Sequence, residues 1–176
     1  MQQRDEIAQG LAARFDEVVT WFAERPDAAF ITGPEGRWTE GQHLDHLIKS
    51  TKPLNLALRL PRIALRLKFG TVPQPGTNYD AVVARYEGTL SDGGKASGRF
   101  IPPTVAVADK ARLLQTFQHE GERLVKVVRS WRDPDLDTCQ LPHPLLGNLT
   151  VREMLFFTHH HMGHHLETLA RDYARA

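Results

Sequence analysis

Apolar residues recur along much of this chain at spacings of three and four, the interval that lines one face of a helix. From Arg4 to Glu24 the stripe is Ile7, Leu11, Phe15, Val18 and Phe22, and the helix should end before Pro26. A turn-rich stretch, Thr32-Gly33-Pro34-Glu35-Gly36, precedes Trp38-Thr39-Glu40-Gly41-Gln42, where Thr39 and Gln42 fit a capping box. The helix opened there carries His43 and His46 and continues through Leu47, Ile48, Leu54 and Leu58. Pro53 and Pro61 each remove a backbone donor and are expected to kink or divide it.

Residues 70 to 104 contain Gly70, Pro73, Pro75, Gly76, Gly93, Gly94, Gly98, Pro102 and Pro103, which predicts a long irregular connection. A short helix is expected within it, around Tyr79 to Tyr86. Leu113, Phe117, Leu124, Val128 and Trp131 restore the helical period from Ala106 to Trp131, and Asp133-Pro134 should stop that helix. The segment from Leu141 to Asn148 reads as an ordered loop. Thr150-Val151-Arg152-Glu153 makes a capping box for a last helix running to about Tyr173. Four long helical segments without a strand pattern predict an all-α helical bundle, and the long middle connection allows a crossover between the second and third helices.

At 176 residues the chain fits one domain, 1–176, with one core. Hydrophobic residues at 41% and charged residues at 24% are those of a globular protein rather than a disordered one. A net charge of +1 leaves no footprint for tight nucleic-acid binding. Arg59, Arg62, Arg66 and Lys68 cluster, but a solvated helix face explains them. No apolar run approaches a membrane span, the N-terminus lacks a signal-like pattern, and a single cysteine, Cys139, suits a reducing compartment. A cytoplasmic protein is the expectation.

Histidine is the outlier. Of nine in the chain, His159, His160, His161, His164 and His165 crowd into the last helix. At about 100° per residue, Met154, Leu155, Thr158, His161, Met162, His165 and Leu169 share one stripe, so His161 and His165 face the core. His160 and His164 fall on roughly the opposite side, and His159 on the flank. Residues at i and i+4 have Cβ atoms about 5–6 Å apart, near enough for two imidazoles to reach one ion. Two buried, unliganded imidazoles could not both charge without repulsion, which a shared metal removes. The competing reading is a pair of neutral core histidines bonded to backbone or water. A purification tag is excluded, because the run is interrupted by Met162-Gly163 and embedded in the helical period.

A catalytic site of the zinc type takes three protein ligands. His43, His46, His119 and His143 are candidates for the third, and periodicity alone places His43 nearer the Leu44, Leu47, Leu54 stripe than His46.

Trp38-Thr39 followed by Leu44-Asp45-His46-Leu47, and later His161-Met162-Gly163-His164-His165-Leu166, resemble the DinB/YfiT-like superfamily of metal-dependent proteins over nearly the whole chain. In that family a histidine follows the tryptophan by eight positions, as His46 follows Trp38, and a histidine pair spaced by four sits on the last helix. The loop from His143 to Thr150 is similar to the one preceding the last helix in one branch. The resemblance implies His46, His161 and His165 as metal ligands, with His43 as the alternative to His46. Where members often have a glutamine three residues after the last histidine, this chain has Thr168. The resemblance also implies an antiparallel four-helix bundle, a homodimer, and members acting as thiol-dependent transferases or isomerases.

Three neutral imidazoles leave an ion its full charge, which suits thiol transfer or hydrolysis with a small-molecule substrate or a low-molecular-weight thiol as partner. Zinc and nickel fit such a donor set best, with iron or copper also compatible. A peptidase motif is absent, since Met162 stands where His-Glu-x-x-His needs its glutamate. Asp45, Glu153 and Glu167 lie near in sequence but read more readily as solvated carboxylates or caps, so the catalytic residues are unassigned. The alternative function is a metal-dependent ligand-binding or stress-response protein without turnover.

Overall fold

The structure is a computed structural model that describes residues 3–72 and 76–173. Among the described residues the chain is mostly helical, with one small two-stranded sheet. Helix α1 spans Arg4–Glu24 and buries Ile7, Leu11, Phe15, Val18 and Phe22, the stripe expected from spacing. Helix α2, Glu40–Leu58, opens with the expected capping box: Gln42 N donates to Thr39 Oγ1 at 3.3 Å, and Thr39 N to Gln42 Oε1 at 2.9 Å.

Helix α2 runs through Pro53 without dividing. Burial of Leu47, Ile48, Leu54 and Leu58 on both sides of the proline offsets the bond it forfeits. Pro61 does end the run and instead starts a separate helix α3, Arg62–Phe69. Helix α4, Tyr79–Ser91, is longer than expected, and the Asn78 side chain caps it at Ala81 N. Pro73 and Pro75, read as breakers in this connection, lie outside the described residues, as do Met1 and Gln2.

Helix α5 is Lys110–Arg129, preceded by a single tight turn at Val107–Asp109. Asp133-Pro134 does not simply stop the chain. Pro134 sits in the first turn of a short helix α6, Asp133–Thr138, where its missing N–H is not needed. The stretch after it, expected to be loop, is a hairpin. Strand β1, Gln140–His143, pairs antiparallel with β2, Gly147–Thr150, in the register His143↔Gly147. Gly147 turns the corner at φ +66°, a conformation costly for any residue with a Cβ. Helix α7, Val151–Tyr173, begins at the expected box, with Thr150 N donating to Glu153 Oε2 and Glu153 N to Thr150 Oγ1.

Polar contacts at the helix ends define their directions. Arg25, just past α1, donates to Glu40 at the start of α2 and to the Tyr173 carbonyl at the end of α7. At the other end Asp133 receives both the Arg4 N–H from α1 and the Arg152 guanidinium from α7. Thus α1 and α7 run one way and α2 the other. Lys110, at the start of α5, reaches the Arg25 carbonyl, so α5 runs with α2. The buried side chains form one continuous cluster drawn from all four of these helices. Inside it, Asn55 of α2 donates to the Glu120 carboxylate at 2.7 Å and its carbonyl at 2.8 Å, tying α2 to α5. Among the described residues no helix is long and apolar enough to cross a membrane.

Candidate metal centre

Helices α2 and α7 bring His46, His161 and His165 together, exposed by only 5%, 5% and 6%. One ring nitrogen of each lies within 4.8 Å of the others. His161 Nε2 stands 3.2 Å from His46 Nε2 and 3.1 Å from His165 Nε2. Nitrogens at about 2.0–2.1 Å from a tetrahedral ion stand about 3.3 Å apart, so the spacing suits such an ion.

The partners on the far side of each ring decide where the protons sit. His46 Nδ1 is 2.7 Å from the Phe100 carbonyl, which can only accept; Nδ1 therefore carries the proton and Nε2 presents a lone pair. A longer chain fixes His165. The Trp38 carbonyl accepts from the Tyr173 hydroxyl, so that hydroxyl receives the proton of His43 Nε2, 3.2 Å away. In neutral His43, Nδ1 is then an acceptor, and at 2.8 Å it takes the proton of His165 Nδ1. His165 Nε2 is left with a lone pair as well. A neutral His161 can supply at most one proton between these two lone pairs, whereas a cation satisfies all three nitrogens at once.

Burial pushes His161 and His165 well below the ordinary imidazole range, with neighbouring histidines adding to the effect, so both rings are neutral at pH 7. Burial, then His46 and His164, lowers His43 to about 4. Aromatic rings enclose the group. Trp38 lies 4.9 Å from His46 and stacks over His165 within 8° of parallel, and Phe157 stacks on His161 at 5.0 Å.

The remaining histidines are elsewhere. His119 is exposed on α5. His143 ends β1, where its Nδ1 accepts from Leu145 N and Leu146 N. His160 and His164 turn toward Tyr86 of α4, with His160 Nε2 3.6 Å from Glu87, and His159 meets the Tyr79 hydroxyl. Of the nearby carboxylates, Asp45 pairs with Lys49, Glu153 caps α7 and Glu167 is exposed. The hydrogen-bond partner of the His165 ring is His43, which accepts its Nδ1 proton, and not Thr168.

Sequence reasoning placed His43 and His46 in competition, and the structure buries both: His46 reaches the cluster, His43 supports it. The role of Tyr173 was missed, although it follows His165 by eight residues, two turns along the same face. A cavity opens beside His46 and His161, and among the described residues lining it there is no carboxylate.

No protein of curated function matches the chain. Residues 8–169, nearly the whole length and every side chain of the histidine cluster, match the DinB superfamily. The chain is a member of the DinB superfamily, and its three buried imidazoles form a group suited to holding a metal ion.

Proposed function

We propose that His46, His161 and His165 hold one divalent ion, zinc or nickel in preference to iron or copper, and that the protein is a metal-dependent thiol transferase. The observation that carries this reading is the pair of Nε2 lone pairs, on His46 and His165, aimed at His161 by acceptors behind them. When bound, the ion supplies Lewis acidity toward a thiol or a polarised oxygen. The chain's own residues do the rest. The Phe100 carbonyl and the His43–Tyr173 pair hold two rings in one tautomer, Trp38 and Phe157 exclude water from one side, and the cavity seats the substrate. The lack of a carboxylate in the cavity favours thiol transfer over hydrolysis: a thiol, with a pKa near 8.5, needs less help to ionise than water does.

In this reading α1, α2, α5 and α7 form the four-helix bundle, and residues 59–109 cross from one end to the other. The protein is cytoplasmic, consistent with the buried free thiol of Cys139. It forms a homodimer that covers the exposed apolar side chains Leu56, Leu60, Ile63 and Leu67.

The test is elemental analysis of untagged protein, combined with turnover of small electrophiles by low-molecular-weight thiols. About one ion per chain with thiol turnover is the expected result. Absence of metal overturns the reading, and stoichiometric metal without turnover replaces it with a non-catalytic metal-dependent ligand-binding or stress-response protein.

A further inference from the structure

The cavity beside His46 and His161 has a volume of about 220 Å³. That is below the roughly 300–1,000 Å³ of sites for drug-sized ligands, so its occupant is small. Leu54, Tyr86, Leu90, Met154, Phe157 and Met162 make most of its wall apolar. Five hydroxyl-bearing residues also line it, and three of them, Ser50, Thr51 and Thr158, each donate their proton to the carbonyl four residues earlier on their own helix. Those three have no proton left to offer, which disfavours an anionic group against the α2 and α7 walls.

The mouth is different. Lys95 and Arg99 line the cavity yet are exposed, and neither is ion-paired among the described residues. The Arg99 guanidinium lies 5.1 Å over the Phe100 ring, next to the carbonyl that orients His46.

We infer that the cavity binds a small amphipathic carboxylate, its apolar body against Met154 and Phe157 and its carboxylate at the mouth between Lys95 and Arg99. The inference rests on the metal reading in one respect, that nearness to the ion makes this ligand a substrate. Exposed ion pairs are individually weak, and two acting together give a preference of about tenfold at low salt.

The probes are hexanoate, hexanol and hexylammonium, with dissociation constants measured by NMR titration at low salt. Wild type, before and after chelation, is compared with the Lys95→Ala, Arg99→Ala double variant. The expected result is hexanoate bound about tenfold tighter than hexanol in wild type, with or without chelation, and hexylammonium weakest. In the variant the preference for hexanoate collapses while hexanol affinity holds. Persistence of the preference in the variant overturns the inference. So does its loss on chelation alone, which would put the carboxylate on the ion, and so does failure of all three probes to bind. Elemental analysis of the same samples tests the metal reading separately: a metal-free wild type that keeps the charge preference leaves this inference standing.

Discussion

His43 and His165 meet through their Nδ1 atoms, 2.8 Å apart, with His43 accepting the proton. This contact gives His43 a task distinct from that of a ligand. His43→Ala is expected to weaken metal binding by about 10- to 100-fold, as loss of an orienting partner does, and His46→Ala to weaken it further. Tyr173→Phe, one step removed, should cost less than His43→Ala. Competition titration with a chelating dye ranks the three. A His43→Ala variant that loses more metal than His46→Ala would exchange their roles.

Helix phase gives the second expectation. His161→Ala and His165→Ala should each sharply lower metal content, whereas His160→Ala and His164→Ala should leave it unchanged, because these two rings turn toward Tyr86. Elemental analysis of the four variants decides it, and equal losses in all four would remove the distinction.

His143 supplies a pH dependence that needs no metal. Burial, helped by the positive charge of Arg85, lowers it to about 4, against an ordinary 6.5. The unfolded chain therefore takes up this proton near pH 6.5, while the folded chain resists until about pH 4. Stability is full above pH 6.5 and falls as pH drops through that window, by at most about 1.4 kcal/mol per pH unit from this one group. His143→Asn keeps an acceptor for the turn but does not titrate. Urea unfolding of chelated protein from pH 7 to pH 4 should show a shallower slope for the variant; identical slopes would acquit His143.

The N-terminus of α7 depends on a close approach. A Cβ on Gly76 would lie 2.5 Å from Glu153 Cδ and 2.7 Å from Thr150 Oγ1. Glu153 cannot swing aside, because Thr77 N, Thr77 Oγ1 and Thr150 N all donate to it. Burial raises its pKa, but these donors outweigh burial and hold the carboxyl below its ordinary value. Gly76→Ala and Glu153→Gln should each cost about 1–3 kcal/mol, read as a lower melting temperature with metal stoichiometry retained. A variant Gly76→Ala as stable as wild type would show that the loop moves away freely.

What could be read from the sequence follows from how local the causes are. The stripe of α1 and the boxes at Thr39 and Thr150 are set within a few residues, and they were legible. The hairpin was not, since its strands are four residues long and carry Pro142, leaving too little alternation to see. At the site, periodicity turned His43 inward and resemblance turned His46 inward, and both rings are buried. Which ring reaches the cluster depends on α7, too far along the chain for either argument.

The acceptor behind His46 is the backbone oxygen of Phe100, supplied from 54 residues away in the connection between α4 and α5. Any amino acid at position 100 carries that oxygen, so point substitution there spares the bond. Length is another matter. Removing one residue between Asp92 and Ser97 shifts the oxygen by up to about 3.8 Å, well beyond hydrogen-bond reach. Position 100 thus tolerates a change of letter while the stretch leading to it does not tolerate a change of number, the reverse of what is usual for a surface loop.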